Sequence, residues 1–151
     1  MKSALIALAL PIVLAVGAAS AEAAEDAGYV KASNGVVQIE RSGQRRPAPV
    51  GSVVHQGDLV ITGADGSVGI TFRDNSLLSV GPDSVLSIDR FVFNSTTHLG
   101  AFESSLKQGT LAVVSGKLAK QSPEAMKVKT PAAILGVRGT EFLVRTGPST
   151  N

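Results

Sequence analysis

From Gly35 onward the chain alternates apolar and polar positions in short runs, and each run closes on a turn signal. Gly35 to Ile39 starts the pattern and Ser42-Gly43 turns it. Gln56-Gly57-Asp58 leads into Leu59 and Ile61, and the Gly/Asp-rich stretch from Thr62 to Ser67 precedes Val68, Ile70 and Phe72. Asp74-Asn75 has the residue types of a hairpin tip, followed by Leu78 and Val80. Gly81 to Ser84 turns again before Leu86 and Ile88. Ser67, Thr71, Arg73, Ser79, Ser87 and Asp89 hold the opposite parity, so the pattern predicts a meander with one dry and one wet face.

Later segments keep the same character. Asn94 to Gly100 is polar and turn-rich, then Phe102, Ser104 and Leu106 run to Gln108-Gly109, and Leu111 and Val113 follow. Ser115 to Ala125 reads as a polar connection containing Pro123, before a final strand at Val128. Ala24 to Tyr29 reads as a flexible leader, and the Pro- and Arg-rich stretch from Gln44 to Pro49 as an exposed loop. No segment after the first residues sustains a 3.6-residue period. With 16 glycines and many short strands, the expected class is all-β, a two-sheet sandwich or roll of short antiparallel strands.

The N-terminus departs from this pattern. Met1-Lys2 gives a positive start, Leu5 to Val16 is an apolar run broken by Pro11, and Ala19-Ser20-Ala21 and Ala21-Glu22-Ala23 both suit A-x-A cleavage. The run is short for a helix of about 20 residues that spans a bilayer. The expectation is a signal-peptide helix at 1–23, a single all-β domain at 24–151, and a periplasmic or secreted location. No cysteine occurs, which excludes a lipoprotein anchor, disulfides and thiol chemistry. The core must then stand on packing alone. A formal charge of +2 at pH 7 is too weak to point to nucleic acid or an anionic membrane. No transmembrane segment is expected in the mature chain.

One stretch near the C-terminus organises the rest: Val128 to Phe142. Pro131 fixes its own φ and biases Thr130 toward extended backbone. Gly136 and Gly139 bracket Val137-Arg138, where positive φ or a close approach is expected. Phe142 and Val144 then alternate with Leu143 and Arg145, the period of a half-buried strand. The residues predict a strand, a glycine-framed corner presenting Arg138, and another strand.

This stretch, Thr130-Pro131-Ala132-Ala133-Ile134-Leu135-Gly136-Val137-Arg138-Gly139-Thr140-Glu141-Phe142, resembles the C-terminal signature of the FecR domain. Two further blocks resemble the same family in the right order: Gly57 to Gly63 with Ile70 to Ser76, and Leu86 to Phe91. The resemblance runs from about Gly28 to Val144. Asn75 stands where the family usually has Gly, and Asn also tolerates left-handed turns. The resemblance marks Thr130, Pro131, Gly136, Gly139, Phe142, Gly57, Gly63 and Phe72 as structural motif positions, and it implies an all-β, two-sheet fold.

Catalytic signals are sparse. His55 and His98 are the two histidines, without metal-ligand spacing. No G-x-S-x-G elbow or Gly-rich phosphate loop occurs. Asp58, Asp65, Asp74, Asp83 and Asp89 fall in or beside turns, where carboxylates bond local N–H groups. A calcium site is the alternative, but none forms a D-x-[DN]-x-[DN]-G loop. Arg45-Arg46 are solvated loop charges or a dock for an anion. No enzyme, cofactor or metal is expected. Arg138, Thr140 and Asp58 are the candidate partner-binding residues. Arg138 either clamps the last strands from inside or meets a partner's carboxylate.

The resemblance implies a sensor domain of ferric-siderophore signalling, which in transducers relays through a membrane helix to a cytoplasmic anti-sigma segment. Against that pattern, a leader is expected at the start of this sequence, and no internal membrane helix and no long segment after the arginine corner are expected. The expected function is an exported binding or signalling adaptor with a protein partner in the cell envelope. The alternative is a structural envelope or matrix protein assembling through exposed strands.

Overall fold

The computed structural model describes residues 25–137 and 141–147. The expected leader at 1–23 lies outside them, as do Arg138, Gly139 and Thr140. Among the described residues the strands are β1 Asp26–Asn34, β2 Val37–Arg41, β3 Gln44–Pro47, β4 Val53–His55, β5 Leu59–Thr62, β6 Ser67–Phe72, β7 Leu77–Val80, β8 Val85–Phe93, β9 Gly100–Val114, β10 Met126–Lys129, β11 Ile134–Gly136 and β12 Glu141–Thr146. A five-residue helix, α1 at Lys117–Gln121, and a 3-10 turn at Pro123–Ala125 interrupt them.

The protein is mostly β, as the alternation predicts, and its strands join into one curled sheet. Their order is β3-β2-β5-β8-β9-β7-β6-β1-β4, with β10 and β12 also on β9 and β11 on β10. The long strand β9 makes this possible. Its first half pairs with β8 and β10, its second half with β7 and β12. Buried positions along β9 change parity on the way, from Phe102, Ser104 and Leu106 to Leu111 and Val113. Lys107 is an extra residue against β8, and Gly109 follows with φ +98°. A bulge and a left-handed glycine bend the strand so that both halves face one core. The two ladders expected as separate sheets are thus continuous through β9.

Nearly all pairing is antiparallel. The exception is β10, which runs parallel to β9 from Met126↔Phe102 to Lys129↔Ser105. A parallel neighbour needs a crossover, and the stretch read as a polar connection supplies it. It is partly helical and packs: Leu118 and Ala119 of α1 are buried.

Three aromatic rings anchor the interior. Phe72, Phe91 and Phe102 meet at centroid distances of 4.5, 5.1 and 5.5 Å, in tilted or edge-on geometries that favour ring pairs. Ile70, Leu78, Leu86, Ile88, Leu106 and Leu111 are buried beside them, each worth roughly 1.5–3 kcal/mol of burial.

Four readings need correction. The leader expected at Ala24 to Tyr29 is strand from Asp26 on. Ala27 and Val30 are core residues, and Gly28 lies so close to β6 that an added Cβ would sit 2.4 Å from the Thr71 carbonyl oxygen. The loop expected from Gln44 is an exposed edge strand to Pro47, where the missing proline N–H costs no ladder bond. β5 turns Val60 and Thr62 inward rather than Leu59 and Ile61. Gly136 has neither positive φ nor a close neighbour: it ends β11 opposite Lys127, with nothing within 4 Å of an added Cβ.

Candidate functional site

Asp58 immediately precedes β5, behind a left-handed Gly57 (φ +90°), whose N–H donates to the Ile88 carbonyl at 2.6 Å. That glycine turns the chain inward, and the Asp58 side chain is fully buried. Arg41, at the end of β2, donates from Nε to Oδ1 at 2.7 Å and from Nη2 to Oδ2 at 2.6 Å. The His55 N–H donates to Oδ2 at 2.8 Å, and Arg41 Nη2 also reaches the Val53 carbonyl at 3.2 Å. The hydrogen bond to Asp58 raises the Arg41 guanidinium above its usual pKa, against a smaller effect of burial. This node ties β2, β4 and β5 together. Asp58, expected to face a partner, is spent inside the fold because both its oxygens are taken. Its cation is Arg41, 17 residues away, which no local sequence signal marks.

Beside the node, Ile39, Arg41, Ser42, Gln44, Arg46, Pro47, Ser52 and Val53 line an open cleft of about 290 Å³. The adjacent arginines divide there. Arg45 Nε pairs with Glu40 Oε2 at 3.3 Å, while Arg46 lines the cleft, donates from Nη2 to Gln44 Oε1 at 3.4 Å, and pairs with no carboxylate among the described residues.

The other turn carboxylates serve the fold as well. Asp65 accepts from the Val36 N–H at 3.3 Å, and buried Asp74 accepts from the Ser76 N–H at 3.0 Å and its hydroxyl at 2.7 Å. Asn75 takes φ +66° at the hairpin tip. Asp89 accepts the hydroxyls of Ser87 and Ser105. Gly63 donates to the Val36 carbonyl at 2.9 Å, and its own carbonyl accepts the Gly66 and Asp83 N–H groups, both at 3.0 Å. Phe72 is core.

At the C-terminal motif, Thr130 closes the β10–β11 hairpin. Its N–H donates to the Ala133 carbonyl at 2.8 Å, and its Oγ1 accepts the Ala133 N–H at 3.1 Å. Pro131 to Gly136 are all exposed. They include Ile134, 67% exposed, and Leu135. Among the described residues β11 pairs with β10 alone, and no described strand pairs with its other edge. Thr130 and Pro131, with Lys107, Lys129, Ser105 and Leu106, line an open groove of about 330 Å³. An apolar edge beside two lysines suits a protein segment carrying apolar and acidic side chains. Phe142 packs partly buried against the core opposite Val113, and Val144 is buried. The expected roles of Arg138, Thr140 and Gly139 fall outside the described residues.

Among the described residues, no three His, Asp or Glu side chains gather in a way that holds a metal ion. His55 Nε2 lies 3.2 Å from Asp26 Oδ1, and His98 stacks on Phe93. No helix among them is long and apolar enough to cross a membrane.

The described chain is a mostly β scaffold whose buried and turn carboxylates brace its own backbone. The sequence profile of the family described as FecR protein matches residues 58–151. The chain belongs to the FecR family, a signalling-related family. A solved structure described as "Cell surface anchoring domain" is similar to part of it, at 32% identity over 40% of this chain and 82% of that one, with a TM-score of 0.39. No curated protein matches.

Proposed function

We propose that this FecR domain acts as an exported, non-enzymatic adaptor that binds a protein partner in the cell envelope. Family membership supports a role in signalling rather than turnover. The apolar N-terminal run and small-residue cleavage sites support export to the periplasm or beyond. The observation that carries the binding role is the β10–β11 hairpin. It holds Ile134 and Leu135 exposed on a strand edge that is unpaired among the described residues, beside a groove lined by Lys107 and Lys129. An extended partner segment adds to that edge through main-chain hydrogen bonds, its side chains reading the groove.

Arg138 and Thr140 follow this hairpin directly and are proposed as its companions in partner contact. Substituting Arg138 with Met tests that role: lost capture at unchanged thermal stability supports partner contact, and lost thermal stability makes it an internal clamp. The adaptor itself is tested by cross-linking the tagged protein in envelope fractions. Recovery of one envelope protein by the native chain, and its loss with Ile134→Lys at unchanged thermal stability, supports the reading. Equal recovery by both chains overturns it.

A further inference from the structure

The strand path through the curled sheet ends at β3 on one side and β4 on the other. Arg41, from β2, reaches across to β4. Asp58 holds its Nε and Nη2, and Nη2 also donates to the Val53 carbonyl at 3.2 Å. The cleft of about 290 Å³ lies at this seam, with Gln44, Arg46 and Pro47 of β3 on one side and Val53 of β4 on the other.

The strand register sets what the cleft offers. Gln44 lies opposite Arg41, and Arg46 opposite Ile39. Cross-strand partners and alternate residues share a face, so Arg41, Gln44 and Arg46 stand together with Ile39 beside them. Arg45 and Glu40 stand on the other face, where they pair. Among the described residues no Asp or Glu lines the cleft. The neighbouring acids are engaged: Asp58 is sealed under Arg41, Glu40 is on Arg45, and Asp26, whose field also reaches Arg41, stands 3.2 Å from His55 Nε2. Of the three arginines, Arg46 alone has no carboxylate partner among the described residues.

Donors remain to be used. A guanidinium that grips a carboxylate by its Nε–Nη2 edge turns Nη1 away from it. Arg41 Nη1 has no hydrogen-bond partner among the described residues. Arg46 spends Nη2 on Gln44 Oε1 at a long 3.4 Å, which leaves its other N–H groups and the Gln44 amide N–H groups available. Because Asp58 and the Val53 carbonyl already fix Arg41, its donors are held in place before any ligand arrives.

We infer that this seam binds a small carboxylate carrying an apolar body about one amino-acid residue in size. The carboxylate takes N–H groups of Arg41 Nη1 and Arg46, with the Gln44 amide beside them, and the apolar body lies against Pro47 and Val53. Arginine–carboxylate bonds are charge-assisted and directional, and one uncompensated cation matches one negative charge. The volume stands at the lower end of the roughly 300–1,000 Å³ of ligand sites, which suits a single residue. Two sources supply such a group: a free carboxylic acid, and the carboxyl end of a protein chain. The site is separate from the β10–β11 hairpin and does not depend on the partner proposed there.

NMR titration of the protein with N-acetyl-leucine, N-acetyl-leucinamide and 4-methylpentanoate tests the site. N-acetyl-leucine is expected to bind with a Kd of about 1 mM, the scale for a ligand of that size, and to move the backbone amide signals of residues 39–46 and 52–53. N-acetyl-leucinamide keeps the body and loses the charge, so it binds at least about tenfold more weakly. A preference for N-acetyl-leucine over 4-methylpentanoate assigns the site to chain ends. Binding of 4-methylpentanoate that is as tight or tighter assigns it to free acids. Arg46→Gln, an exposed change on an edge strand, weakens binding by about fivefold or more while the thermal melt stays that of the native chain. Absent signal changes, changes centred elsewhere, an amide that binds as tightly as the acid, or indifference to Arg46→Gln each overturns the inference.

Discussion

Arg41 grips both oxygens of Asp58 in a bidentate pair, at 2.7 and 2.6 Å, with the carboxylate fully buried and the guanidinium side chain 43% exposed. Geometry of this kind is stronger and more directional than an ordinary surface ion pair. Because the carboxylate is sealed from water, removing its partner leaves a charge that cannot be solvated. Arg41→Met is expected to cost about 3 kcal/mol, at the low end for a broken buried pair because water reaches the arginine side. Urea unfolding measures it, and a loss below about 0.5 kcal/mol would reduce the node to a surface contact.

The same pair sets an alkaline limit. The Arg41 pKa is raised in the fold, first by its hydrogen bond to Asp58. A raised folded value means the contribution is complete below the unfolded value and is lost only as pH climbs through the folded one. The Arg41 contribution is therefore constant from neutral pH to about pH 10, below the ordinary arginine range. The difference in stability between the native chain and Arg41→Met, followed over that window, checks it. A difference that shrinks on the way to pH 10 contradicts the assignment.

Two glycines have opposite expected sensitivities. An added Cβ on Gly109 would lie 1.9 Å from Ser84 Oγ, at φ +98°, so Gly109→Ala combines overpacking with left-handed strain and costs about 3 kcal/mol. Gly136 belongs to the recognisable motif, yet space around it is open and its φ is ordinary. Gly136→Ala is expected to fall within about 0.5 kcal/mol of native. Chemical denaturation of both variants decides whether motif membership or local geometry governs tolerance.

Ser104 hides a hydroxyl in the core. It is fully buried in β9, and its Oγ has no hydrogen-bond partner among the described residues. An unmade hydrogen bond in the interior carries a desolvation cost of about 1–3 kcal/mol. Ser104→Ala removes that cost and leaves only a small void, so stability is expected to rise by about 1 kcal/mol. A fall of the same size in the melting experiment would mean the hydroxyl is paired.

Much of the fold is legible in the alternation, and the failures have local causes. Turn residues placed the hairpins correctly because their geometry is written in single residues: Gly57 and Asn75 both adopt the positive φ their types favour. β1 escaped because its bulge between Val30 and Ala32 shifts parity mid-strand. The buried face of β5 is not legible because the apolar run Leu59, Val60, Ile61 carries no alternating polar contrast. The Phe102–Leu106 and Leu111–Val113 runs were both visible, but only the bend at Gly109 shows them to be one strand. The site was less legible. Asp58 stands out in the sequence beside the Gly57 turn, whereas Arg41 precedes an ordinary Ser42-Gly43 turn and gains its role only when β2 and β5 pair.

The exposed pair Ile134 and Leu135 gives the most direct test of the adaptor account. Photo-cross-linking from a reactive residue placed at position 135, in cells that export the protein, reads which molecules touch the β11 edge. The account predicts a discrete adduct with one envelope protein, abolished by Ile134→Lys while the protein stays folded and exported. No adduct at that edge, or a ladder of adducts unaffected by Ile134→Lys, would contradict it.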